Sequence, residues 1–175
     1  SPQADDRKLV VAVMNQITWH DLLSPQVQAP TLRKLAKQGA VGLMCVRTAR
    51  AREGGYVTMG AGARASVSTG SSAKLTPEGQ GFQVTESVEG TTAGRRYRTY
   101  TGSDANGNAI VHLGIGEMDR LNLLTGYPIR VGLLGQELGR AGLRVACIGN
   151  ADTPLARHRE IVAMAITERG VVELG

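Results

Sequence analysis

Between Glu53 and Ala65 the chain reads EGGYVTMGAGARA, with one hydroxyl, Thr58, ahead of a run of Gly and Ala. A small Gly-rich turn that opens into a helix can expose a nucleophilic hydroxyl. The backbone N–H groups and the positive helix end then favour an anion beside it. Arg47, Arg50, Arg52 and Arg64 stand around this stretch, and Arg47 and Arg64 are candidates to hold the oxygens of a phosphate. Upstream, the apolar run Lys8–Met14 (KLVVAVM) ends at Asn15, the place where an open α/β sheet puts a working residue. Asp152, after GNA, is a second candidate of the same kind. Together these residue types suit a site for a phosphate or sulfate ester, so the partner they imply is an anionic small-molecule ester.

Each candidate also has a plainer reading. A Thr at a helix start serves as an N-cap. A strand-end amide such as Asn15 satisfies loop backbone, and Asp152, followed by Thr and Pro, suits a turn. His20 and Asp21 read as surface or capping residues, His112 (in IVHLG) as a hydrogen-bonded core or edge histidine, and His158 (in ARHRE) as solvated. Cys45 and Cys147 lie inside apolar runs and read as buried thiols. A disulfide between them stays open, and their spacing excludes a local zinc knuckle.

The elements that must position these residues alternate. Lys8–Met14 and 40–48 read as buried strands. Pro30 opens a helix that Gly39 stops, and Thr58 to about Thr69 reads as a helix of small residues. Residues 70–108 read as an irregular insertion or flap, strand-like over Phe82–Val88 and helical over Ala93–Tyr100. Ala109–Leu113 follows as a strand, then Gly116–Leu124 and Val131–Arg140 as helices. Arg144–Ile148 reads as another strand, and Ile161–Ile166 with Val171–Leu174 as a hairpin or returning edge. This order predicts one α/β domain over 1–175: a three-layer α/β/α fold with an open, mostly parallel sheet and an irregular insertion around 70–108.

Composition narrows the function classes. The 175 residues carry a formal charge of +5, which admits anionic partners. The charges are dispersed, with the densest cluster in GRRYRTY and no run of five of one sign. No zinc-finger, helix-turn-helix or RNP pattern accompanies them, so nucleic acid is disfavoured as a partner. Aromatic residues are 3% of the chain, so the core must be largely aliphatic. No membrane segment is present, and the polar start SPQADDR reads as a mature N-terminus, compatible with an extracytoplasmic protein whose signal has been removed.

In order, VVAVMN, APTLRKLAKQGAVGLM, YVTMGAGARA and YPIRVGLLGQELGRAGLRVACIGNAD resemble the N-terminal portion of an alkaline-phosphatase-like domain, of the alkaline phosphatase and sulfatase superfamily. The resemblance implies that Thr58 is the nucleophile and that Asn15 occupies the position of the first metal-binding Asp. It also implies a divalent metal (zinc, manganese or magnesium) as cofactor. Asn15 departs from the pattern, because an amide offers one neutral oxygen where a dication prefers a carboxylate. Further Asp and His ligands belong to the C-terminal half of such domains, so a metal centre here is expected to be incomplete or degenerate and the domain truncated. Two functions follow: a metal-dependent phosphate or sulfate ester hydrolase, or a non-catalytic partner-binding or extracytoplasmic scaffold module on the same fold. An open sheet ending near Gly175 would expose an edge strand, which predicts either a homodimer through that edge or an edge covered by residues 70–108.

Overall fold

In the computed structural model of the protein, residues 8–14, 17–42, 52–67, 80–148, 151–155 and 157–175 are described. The chain divides into two compact units, Ser1–Cys45 and Val46–Gly175.

The first unit holds two short helices, α1 (Trp19–Leu23) and α2 (Pro30–Gln38). Thr18 and Asp21 form a capping box at the start of α1. The Thr18 hydroxyl accepts the Asp21 N–H at 3.2 Å, and the Thr18 N–H donates to the Asp21 carboxylate at 2.8 Å. These bonds from Thr18 hold the Asp21 carboxyl below its usual range. Arg33 of α2 donates to the carbonyls of Leu22 at 2.8 Å and Val27 at 2.7 Å, and also to that of Ser24, so the end of α1 and the following turn are satisfied by one side chain.

The second unit begins with α3 (Arg52–Ala61). It continues through β1 (Gly81–Gln83), β2 (Ser87–Val88), β3 (Thr91–Thr92) and α4 (Ala93–Thr101). Next come β4 (Ile110–His112), α5 (Ile115–Leu123) and α6 (Leu133–Arg140). A 3-10 helix over Glu160–Met164 and β5 (Val171–Val172) complete it. Strands β1, β4 and β5 form one antiparallel sheet with β4 in the middle, and Val111 stands opposite both Phe82 and Val171. Strands β2 and β3 form a separate antiparallel pair. The turn between them has Glu89 at φ 48° and Gly90 at φ 83°, the left-handed pair that matches the twist of a two-residue hairpin. Val57, Phe82, Val88, Tyr97, Val111 and Ile166 are buried together in the core. The buried Tyr97 satisfies its hydroxyl by donating to the Arg169 carbonyl at 2.7 Å.

This architecture corrects the expected three-layer fold. The described residues form six α-helices and two small antiparallel sheets, and their one parallel pairing is an isolated bridge between Ala146 and Leu174. Lys8–Met14 joins no strand, and Leu9 and Val10 are 91% and 83% exposed. An unbroken apolar run fits a strand covered on both faces, but the run alone does not supply the neighbours that cover it. Arg144–Ile148 contributes only the single bridge at Ala146. Ile161–Ile166 coils into the 3-10 helix instead of pairing. The presumed insertion is also corrected: its described part, 80–108, supplies β1 to β3 and α4 and buries Phe82, Val88, Ala93 and Tyr97 in the core. The part of the 40–48 run beyond Gly42 lies outside the described residues. No helix among the described residues is long and apolar enough to cross a membrane.

Gly132 caps α6 at φ 76°, and a Cβ there would lie 2.3 Å from the Thr167 carbonyl oxygen. Gly139, within α6, would place its Cβ in open space. Gly132→Ala is therefore expected to cost about 2 kcal/mol or more, from left-handed strain and backbone overlap. Gly139→Ala is expected to gain about 0.5–1 kcal/mol. Urea-unfolding midpoints check both; equal effects at the two positions would contradict the packing of α6 described here.

Candidate functional site

Thr58 lies in the body of α3, six residues beyond the helix start at Arg52, and not at the mouth of a loop. The expected helix over Thr58 to Thr69 is thus displaced towards the N-terminus. The reason lies in composition: Gly54, Gly55 and Gly60 read as loop, but small residues also let a helix approach its neighbours closely. The Thr58 hydroxyl accepts the Ala65 N–H at 3.1 Å and donates to the Ala65 carbonyl at 3.5 Å. Ala65 is buried, so its N–H needs a partner inside the protein. Thr58 is therefore the clasp that folds the segment after α3 back onto the helix. Arg64, in that returning segment, is exposed. Asn15 and Arg47 lie outside the described residues, as does Cys45. Cys147 is a free thiol, and burial pushes its pKa up.

Asp152 belongs to a charge network. Its carboxylate accepts the His158 N–H at 2.9 Å and Arg159 Nε at 2.8 Å, while Arg159 Nη1 bonds the Glu86 carboxylate at 2.8 and 2.6 Å. Burial works to raise the Asp152 pKa, but the bonds from Arg159 and His158 outweigh it and hold the carboxyl below its usual range. The Arg157 and Arg159 guanidinium carbons stand 5.2 and 5.5 Å from the centre of the Phe82 ring. Arg159 and Glu86 are far apart in the chain, and no spacing rule connects them; only the fold does.

A second group was half legible. His112 is fully buried, as a core histidine should be, but neither ring nitrogen has a hydrogen-bond partner among the described residues. Its Nε2 lies 3.7 Å from Oε1 of Glu53, on the first turn of α3, beyond hydrogen-bond range. Glu53 stood in the EGGYVT stretch and His112 in the IVHLG stretch, but nothing in the sequence paired them. Similarly, Nδ1 of His158 lies 3.7 Å from the buried Glu160 carboxylate, so this histidine is half-buried and not solvated.

The three described candidates thus have separate surroundings: Thr58 its clasp, Arg64 the solvent, Asp152 its arginine. No three His, Cys, Asp or Glu side chains among the described residues gather into a set able to hold a metal. These residues do not fit the divalent ion that the family resemblance implies.

Asp119, on α5, is a carboxyl well away from its ordinary range. Burial, followed by the nearby Glu168 charge, raises its pKa from 3.8 to about 6. The folded protein therefore holds this proton more tightly than the unfolded chain. The resulting stability is fully present below pH 3.8 and is lost as pH rises through about 6. At pH 7 the ionised Asp119 is a liability. Because the side chain is partly exposed and screened, Asp119→Asn is expected to gain only about 1 kcal/mol there. Thermal unfolding from pH 4 to 8 checks this: the gain should vanish near pH 4, and a gain that does not depend on pH would contradict the assignment. The chain matches no protein-family model, no curated protein and no solved structure.

Proposed function

We propose that this chain works as a non-catalytic partner-binding module and not as an ester hydrolase in its own right. The observation that carries this reading is the use made of Thr58, whose hydroxyl both accepts from and donates to the backbone of Ala65. An attacking hydroxyl must be free to pass its proton to a base and to approach an ester. This one would first have to open the turn that it closes. Asn15 supports the same reading, since an amide stands where ester hydrolysis would need a carboxylate for the metal. The partner proposed is a second copy of the chain, meeting it along an outer strand of the three-stranded sheet.

The order of sequence motifs favours a second reading: phosphate or sulfate ester hydrolysis, with Thr58 as nucleophile and zinc, manganese or magnesium as cofactor. One set of variants separates the two. Thr58→Val is expected to cost about 1–3 kcal/mol of stability, because the buried Ala65 N–H loses its acceptor; Thr58→Ser should keep most of it. Neither variant should change the hydrolysis of p-nitrophenyl phosphate or p-nitrophenyl sulfate with any of the three metals present. Turnover that Thr58→Val abolishes and Thr58→Ser retains would overturn the proposal in favour of the hydrolase. Light scattering of the same samples is expected to give a dimer; a monomer would remove the second copy as the partner.

A further inference from the structure

Part of the surface charge of the second unit is paired. Arg96 meets Glu89 at 2.5 Å, Arg98 meets Asp104 at 2.7 Å, Arg120 meets Glu117 at 2.7 Å and Arg140 meets Glu137 at 2.5 Å. Arg144 and Glu173 form no ion pair among the described residues, as is also true of Arg64, Arg95, Arg157 and Arg169. Arg144 and Glu173 line one open cavity of about 510 Å³ together with Asn106, Gly107, Asn108 and Leu174. The backbone beneath is held in place. The Ala109 N–H donates to the Asn106 carbonyl at 3.0 Å, closing the turn that carries both asparagines, and the Cys147 N–H donates to the Leu174 carbonyl at 3.0 Å. The second bond fixes the Arg144 segment beside the Glu173 segment. Two opposite charges and two amides thus share a cavity on a braced frame, with their polar ends left to solvent.

The geometry points to a binding site for a small zwitterion, a molecule that carries a carboxylate and an ammonium group, of the amino-acid or short-peptide class. A simple anion in this cavity meets Arg144 but is repelled by Glu173, and a simple cation meets the reverse. A zwitterion satisfies both, its carboxylate forming a two-pronged bond with the guanidinium and its ammonium meeting the Glu173 carboxylate. The Asn106 and Asn108 amides can donate to or accept from a peptide group between the two ends. The cavity is open and its charges are exposed, so binding of millimolar order is expected.

The test uses the full chain labelled with nitrogen-15, titrated separately with diglycine, glycine, acetate and ethylammonium at low salt. Diglycine or glycine should produce saturable shifts of the Asn108 and Glu173 amide signals, and which of the two binds more tightly reports the separation of the charges. Acetate and ethylammonium should bind at least tenfold more weakly. Arg144→Glu should abolish the response, and the double reversal Arg144→Glu with Glu173→Arg should restore it, because a zwitterion can turn round. Heteronuclear spectra of each variant show whether it is folded before its binding is compared. Absence of saturation with both zwitterions, binding of acetate or ethylammonium as tight as that of diglycine, or failure of a folded double reversal to restore binding would each overturn the proposal.

Discussion

The second unit depends on how closely α3 seats against the 3-10 helix at Glu160–Met164. A Cβ on Gly60 would lie 2.7 Å from the Ala163 carbonyl and 3.0 Å from that of Met164, so only glycine permits this approach. Val57, Ala61, Val162 and Ala163 are all buried in the same cluster. Each buried Val or Ile side chain contributes roughly 1.5–3 kcal/mol, so the contact outweighs the exposed ion pairs nearby, worth about 0–1 kcal/mol apiece. Other features follow from this contact. Seating α3 brings Glu53 towards His112 and places Thr58 where it can hold Ala65. The chain after the 3-10 helix then presents the Ile166 and Thr167 carbonyls to Gly135 and Gly132 of α6.

The local elements of this fold were far more legible than its pairings. Helices α4, α5 and α6 fall within a few residues of the segments at Ala93–Tyr100, Gly116–Leu124 and Val131–Arg140, because apolar spacing and the bounding glycines and prolines are local signals. The capping role of Asp21 was legible for the same reason, since its partner Thr18 is three residues away. The sheet was not. Val111 pairs with Phe82 and Val171, partners 29 and 60 residues away, and no spacing rule identifies them. Lys8–Met14 carries the composition of a central strand without the neighbours of one. Within residues 70–108, Phe82 and Tyr97 marked the segment as more than a linker, but not as core; they prove to be the largest fully buried side chains among the described residues of the unit.

The candidate site shows the same division. Thr58 was identified as a hydroxyl with special work to do, and it has such work, but within the backbone: it satisfies a buried N–H where an open loop would have presented it to an ester. Asp152 was recognised as a residue at a chain turn, while the arginine that neutralises it became visible only in the fold. Among the described residues, the buried polar atoms without a hydrogen-bond partner include both ring nitrogens of His112, the Gln80 side-chain oxygen and the Thr167 hydroxyl. A buried polar atom without a partner costs stability, so these positions weaken the unit.

The central claim is that Thr58 closes the turn behind α3. Native-state hydrogen exchange of the Ala65 amide tests it most directly. The account predicts that this N–H exchanges only with the larger openings of the unit, and that Thr58→Val accelerates its exchange by about tenfold or more relative to the other amides of α3. An Ala65 amide that exchanges at the rate of an unstructured peptide in the unsubstituted protein, or at an unchanged rate in Thr58→Val, would contradict it.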